Sequence, residues 1–462
     1  MKTNLYKLIV VLMIFSIALA ACTTPEPAAA PEADAPAAAE SDAAEAPAAE
    51  VVEEVALSGT LTVLSNRTDL DEDGTLAQYS DAFSALYPGV TVEWETMTDY
   101  VGEVETRMNT TEYGDVLLLP PALVAEKFPQ FLTPLGSVDD LGEKYNFIHE
   151  ATFEGTVYGI AVVGNGQGLL YNKEVFEAAG IAEIPNTPEA FQAALALIKE
   201  NTDAIPLYTN YAAGWPLTQW DSQLGSVSGN PDTKNLDIPH MDAPFAAGEV
   251  EYTIYKVLYD AVAEGYTEED PTTTDWETSK TMIANGEIGV MALGSWAISQ
   301  MQAAAESVGN DPSIIGYMPF PTNIDGNQYA SAGGDYKIGI NVNSENQEIA
   351  QVFLTWFLDE SNFAYDQGGI PPLKSAALPS NYDAFAEAGV EWIVDTAANP
   401  GEEGLYNSID NEAEVGFSNG SGLWQSRIVD AAKGQSGETF EDIMNEANTR
   451  WAEARVSLGV TP

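Results

Sequence analysis

The sequence predicts an α/β fold arranged as two lobes, each a sheet with flanking helices, and three observations predict it. Residues 60–119 alternate between short β-rich runs and stripes of apolar residues at helical spacing. Residues 116–119 are apolar throughout, as a strand covered on both faces requires. The body of the chain, roughly 400 residues, exceeds what a single core holds.

In chain order, Thr60-Leu61-Thr62-Val63-Leu64 has the composition and alternation of a strand. Leu76, Tyr79, Phe83 and Leu86 then recur at helical spacing until Pro88-Gly89 stops them. Val90-Thr91-Val92-Glu93-Trp94 alternates again, and Tyr100, Val104 and Met108 share a second helical face. Pro120-Pro121 closes the apolar run that follows. Strand, helix, strand, helix, strand in about 60 residues is βαβ organisation, for which a parallel sheet is expected. Later, Pro188 stands at a helix start ahead of Phe191, Ala194, Leu195 and Ile198. Phe440, Ile443, Met444, Ala447 and Trp451 stripe the last helix.

Ahead of this body, Lys2 and Lys7 introduce an apolar run over residues 8–20 that only Ser16 interrupts. Basic residues, an apolar stretch too short to span a bilayer comfortably and then small residues make a secretory signal, here residues 1–21. The chain's one cysteine follows at once in Leu19-Ala20-Ala21-Cys22, which resembles the bacterial lipobox, whose cysteine is diacylated and becomes the new N-terminus. The resemblance implies a lipidated Cys22 and a protein anchored on the extracytoplasmic face of the cell membrane. Residues 23–56 are nearly all Ala, Pro, Glu, Asp, Ser and Val, with nine acids and no base, so 22–56 reads as a lipidated, extended tether.

The chain carries 71 acidic against 17 basic residues, a formal charge of −54. Without residues 1–56, 62 acids and 15 bases remain, a net of −47. So acidic a surface excludes nucleic acid as a partner, because phosphates need a basic footprint. It equally excludes a polybasic grip on anionic lipid. At 45% hydrophobic, the chain still has the material for cores. One cysteine allows no intramolecular disulfide, and two histidines, His149 and His240, leave little for a His-based metal site. The acidity reads as a solvated surface and not as evidence for a cationic ligand.

Several blocks together resemble the extracellular solute-binding proteins of ABC importers, in the branch of maltodextrin- and sugar-binding proteins. Gly155-Thr156-Val157-Tyr158-Gly159-Ile160-Ala161, then Gly168-Leu169-Leu170-Tyr171-Asn172-Lys173-Glu174-Val175-Phe176, is similar to the segment where the chain first crosses between lobes. Thr187-Pro188-Glu189-Ala190-Phe191 resembles the helix start that follows it. Ile283-Ala284-Asn285-Gly286-Glu287-Ile288-Gly289-Val290-Met291, then Gly294-Ser295-Trp296, resembles the strand and turn that present a binding-site tryptophan. Gly333-Gly334-Asp335-Tyr336-Lys337-Ile338-Gly339-Ile340, then residues 350–358, resembles the return crossing and its helix. The resemblance implies a two-lobe periplasmic-binding-protein-like fold hinged at a cleft. Its N-lobe would be residues 57–163 plus 336–366 and its C-lobe residues 164–335 plus 367–462, with hinges near 163–166 and 334–336. It also implies a small carbohydrate ligand, delivery to ABC permease subunits, a monomer, no cofactor and no chemistry of its own.

Neutral carbohydrate needs flat aromatic faces and planar amides or carboxylates. Trp296 leads the candidates because its turn matches the family's aromatic-bearing one. Trp424, after Gly420-Ser421-Gly422-Leu423 and ahead of Arg427, matches the late helix that brings a second ring. Trp215 and Trp220-Asp221 occupy the stretch that supplies C-lobe contacts, with Asp221 as a hydroxyl acceptor. Trp94, Trp276, Trp356, Trp392 and Trp451 read as structural. Asn66 and Arg67 follow the first strand, at the edge where open α/β sheets bind ligands. Asn165 and Gln167 fall in the crossing segment, an amide standing where relatives often place an acid. Gly334 and Asp335 lie at the return hinge, where Asp335 serves either a hydroxyl pair or the turn itself. Leu119-Pro120-Pro121 departs from the aromatic and charged contacts of the maltodextrin branch, so a mono- or disaccharide or another polyol is expected in place of a long chain.

Asp69-Leu70-Asp71-Glu72-Asp73-Gly74 has the opening of a calcium loop, with Asp69, Asp71 and Asp73 as ligands, but position twelve is Ser80 where a bidentate Glu belongs. The segment is therefore read as a solvated acidic loop starting a helix, with calcium as the alternative. For function the alternatives are a polyamine, oligopeptide or metal cargo, a surface glycoside hydrolase, and a structural stalk protein. No G-x-S-x-G, H-E-x-x-H or Walker motif supports catalysis.

Overall fold

The computed structural model describes residues 57–120, 123–415 and 423–460. The signal, Cys22, the tether, Pro121, Gly420, Ser421 and Gly422 lie outside the described residues.

The described chain begins with β1 (Gly59–Ser65), β2 (Val90–Thr96) and β3 (Val116–Leu118), linked by helices Thr75–Leu86 and Tyr100–Arg107. β1 pairs in parallel with both β2 and β3, which is the expected βαβ arrangement. β4 (Gly136–Ser137), β5 (Thr152–Phe153) and β6 (Thr156–Val157) form a small sheet, followed by β7 (Ile160–Ala161) and the nine-residue β8 (Gly164–Asn172). β9 (Ile205–Leu207), β10 (Ile288–Gly294), β11 (Ile315–Met318), β12 (Tyr329–Gly334), β13 (Lys337–Ile340) and β14 (Glu391–Val394) complete the strands. The first large sheet has the order β2-β1-β3-β13-β7, and the second β14-β12-β8-β10-β9 with β11 also on β8. β13 and β7 run antiparallel, so the sheet is mixed where the sequence pattern implied parallel. β13, which returns from the second sheet, is the strand that runs against β3 and β7.

Each sheet has its own core. Helix Thr75–Leu86 buries Leu76, Tyr79 and Phe83 on the first sheet, where Phe83, Phe353 and Trp356 pack ring against ring. Leu86 leaves the predicted stripe and is 56% exposed, because the helix ends there. The second sheet is covered by Phe191, Phe245 and Trp451 on one side and by Met291, Met301 and Phe385 on the other. Helix Pro188–Asn201 starts where predicted, with the Thr187 hydroxyl accepting from Ala190 N. Helix Phe440–Ser457 opens with a capping box between Thr439 and Asp442.

The chain passes between the sheets at residues 162–163, leading from β7 to β8, and at 335–336, leading from β12 to β13. These links lie side by side: Asp335 N donates to Val163 O at 2.8 Å, and Val162 N to Tyr336 O at 2.9 Å. A third pass joins them at Ile370, which exchanges two 2.7 Å backbone bonds with Gly164. Phe147 is wedged where the passes meet. A Cβ on Gly164 would lie 2.4 Å from its ring, so only glycine allows that approach. No helix of the described residues is long and apolar enough to cross a membrane.

Candidate ligand cleft

Three cavities converge on residues 331–337, the strand end and link that carry the chain from the second sheet to the first. One, of about 290 Å³, lies on the second sheet and is lined by Gln167, Thr218, Ser222, Lys234, Asp395 and Asn407. Another, of about 360 Å³, is bounded by Leu119, Phe128, Glu150, Tyr336 and Lys337. The third, of about 250 Å³, opens at the carboxyl end of β1 beside Asn66 and Asp335.

Gly294, the last residue of β10, pairs with Gln167 of β8, which places the following turn at the first cavity. Trp296 stands in that turn. It is half-buried, as are Trp215 and Trp276, and the three rings cluster with centroids 5.0, 5.7 and 5.9 Å apart. Trp276, read as structural from the sequence, is therefore a member of this group; its place in the first turn of the helix Trp276–Ala284 gave no sign of it. The Gln167 Oε1 is buried without a partner next to Gly294 and the Trp296 indole, an acceptor placed for an incoming hydroxyl. The Asn66 Oδ1 is in the same condition at the third cavity.

Asn165 and Asp335 form one unit. Asn165 Nδ2 donates to Asp335 Oδ2 at 3.1 Å, and Tyr336 N donates to Asp335 Oδ1 at 2.9 Å. Gly334 N donates to Glu150 Oε1 at 2.6 Å, and Glu150 pairs with Lys337 at 2.6 Å. Glu150 and Lys337 were missed by the sequence reading. Glu150 is far from Gly334 in sequence, so no spacing could connect them. Arg67 is occupied by Asp69 and by Gln367 Oε1. The bases lining the cavities, Arg67, Lys234 and Lys337, are each paired with a carboxylate, of Asp69, Asp395 and Glu150. Asp335, which lines two of the cavities, is held by the hydrogen bonds of Asn165 and Tyr336 with no ion pair among the described residues.

Three candidates are corrected. Trp424 is 5% exposed within the core of the second lobe, with the Arg427 guanidinium 5.0 Å from its ring, and offers no face to a ligand. Arg427 is itself held by Glu438 and Glu446. Asp221 borders the first cavity but turns its carboxylate inward, accepting from the Tyr255 hydroxyl and from Gln425 Nε2 at 2.7 Å. Burial pushes its pKa well above the carboxylate range, with Glu251 and Asp410 adding to the shift. Trp220, 2% exposed against Phe320, is core as well. The acidic segment after β1 is held by its own neighbours: Thr68–Glu72 is helical, and Asp69, Asp71 and Asp73 accept from Arg67, Thr96 and Thr75.

Residues 68–362 match the family described as bacterial extracellular solute-binding protein. The chain is similar to the diacetylchitobiose binding protein DasA of Streptomyces coelicolor, 27% identical over 250 residues. That match takes in 52% of this chain and 54% of the relative, about half of its length. It is similar to the multiple sugar-binding protein of Streptococcus mutans, 22% identical over 65% of this chain and 72% of that one. Among solved structures, a binding protein of an ABC transporter from Bifidobacterium animalis subsp. lactis, in complex with mannobiose, is 40% identical with a TM-score of 0.75. A manno-oligosaccharide specific solute binding protein of the same organism, in complex with mannotriose, is 39% identical with a TM-score of 0.75. Each of these two covers 87% of this chain and 95% of its own.

Proposed function

The chain belongs to the bacterial extracellular solute-binding proteins, and we propose that it captures a short neutral oligosaccharide of the mannobiose and mannotriose class between its lobes and delivers it to an ABC permease. The observation that carries this reading is the group of three half-buried indoles beside the unpartnered Gln167 Oε1. Indole faces accept the C–H faces of sugar rings, and a buried acceptor favours a hydroxyl donor over an apolar guest. Similarity to complexes with mannobiose and mannotriose supports the sugar class.

In this reading the ligand touches both lobes at once and shifts the hinge equilibrium towards the closed form. The protein is a monomer, needs no cofactor and catalyses nothing. The lipobox-like Leu19-Ala20-Ala21-Cys22 supports a lipid anchor on the extracytoplasmic face of the cell membrane. Calorimetric titration of the purified protein is the test. Mannobiose or mannotriose binds saturably at one site, and maltose binds about tenfold or more weakly. Absence of heat with all three sugars overturns the reading.

A further inference from the structure

The cavity of about 250 Å³ at the end of β1 differs in chemistry from the other two. Leu76, Trp94, Phe357 and Phe363 contribute to its walls. The rings are contiguous, with Trp94 and Phe357 centroids 5.8 Å apart and Phe357 and Phe363 centroids 4.9 Å apart. The one polar atom of the Trp94 ring is used elsewhere, since its Nε1 donates to Ser80 Oγ at 3.0 Å. Ser65, Asn66, Arg67, Asp335 and Tyr336 also line it; Arg67 is already held by Asp69 and Gln367, while Asn66 Oδ1 is buried without a partner.

A second sugar ring would leave the hydroxyls that face Leu76, Trp94, Phe357 and Phe363 unpaired. An acetyl group would fill only a small part of the space, whereas an apolar cavity of about 150 Å³ already accepts benzene. We infer that this cavity takes an aryl group carried on the oligosaccharide, the ring entering among Trp94, Phe357 and Phe363 while a hydroxyl of the attached sugar donates to Asn66 Oδ1. The receptor then recognises aryl glycosides as a substrate class, through a subsite of the first lobe that plain oligosaccharides leave empty. The inference rests on the cleft being a carbohydrate site.

The test compares 4-nitrophenyl mannobioside with methyl mannobioside by calorimetry on the purified full chain. The aryl glycoside binds about tenfold or more tightly to the unmodified protein. In Leu76→Phe, which fills the cavity, that preference disappears while the methyl glycoside keeps its affinity. A second readout covers a Leu76→Phe chain that fails to fold: the nitrophenyl group quenches Trp94 emission, and Trp94→Phe removes that part of the quench. Equal affinity for the two glycosides, or a preference that survives Leu76→Phe, overturns the aryl subsite and leaves the carbohydrate reading standing. If neither glycoside nor mannobiose binds, both fall together.

Discussion

Trp296 sits two residues beyond β10, and a Cβ on Gly294 would lie 2.6 Å from its Nε1, so the glycine sets the ring's position. Because Trp215 and Trp276 flank it, truncation leaves the core of the second lobe intact. Trp296→Ala is expected to weaken mannobiose binding by about 10-fold to 100-fold, the scale of a stacking residue in a binding site. The melting point without ligand changes little; a large drop would instead mark the ring as core. Deeper in the same lobe, Glu251 is 1% exposed, and burial, with Asp410 adding to it, pushes its pKa up to about 8. The folded state therefore keeps a proton that the unfolded chain loses above its ordinary pKa. Stability from this group is complete at low pH and is lost as pH rises towards 8, by of the order of 1 kcal/mol per pH unit. Glu251→Gln, which has no proton to lose, should show a melting point that gains on the parent between about pH 5 and 8. Parallel curves would mean that Glu251 does not titrate there.

At the scale of elements, the crossing links and the Phe147 wedge decide how the two sheets meet. Phe147 has a left-handed backbone, φ 61°, and is 2% exposed, so its conformation is held by packing against Gly164, Gly334 and their neighbours. Gly164→Ala would force the ring aside and should cost about 1–3 kcal/mol, a drop of several degrees in a melting experiment. A Gly164→Ala protein with unchanged melting would show that the wedge yields freely. Most elements were legible beforehand because their cause is local. Thr187-Pro188 starts a helix by capping, and the apolar residues 116–118 form a strand because both faces are covered. The reversed direction of β13 between β3 and β7 was not legible, since pairing direction depends on where distant segments enter the sheet.

For the whole molecule, the formal charge of −54 contrasts with a cleft whose bases are each paired. A neutral sugar should therefore bind with an affinity that changes by less than about twofold between low and high salt, while a cationic ligand would lose much more. Titration at two ionic strengths separates them. Small-angle scattering should also report a smaller radius of gyration with saturating mannobiose, because closure brings the lobes together. An unchanged radius would argue that no hinge motion accompanies binding.

The candidate site divides along the same line. Trp296 and Gln167 could be found from the sequence, because a turn after a buried strand and a strand at a chain crossing place them at a sheet edge. Trp424 could not be judged, since an amphipathic helix presents a tryptophan to a core or to a cleft with the same spacing. Glu150 and Lys337, 187 positions apart, meet only because two separate segments fold against the crossing strand. The sequence by itself determined the α/β class, the early strands and helices, the acidic surface and the glycine-rich turns, all of which follow from neighbours along the chain. Only the tertiary structure decided which indoles stay partly open and which acids face inward, because burial is fixed by segments that are remote in sequence and adjacent in space.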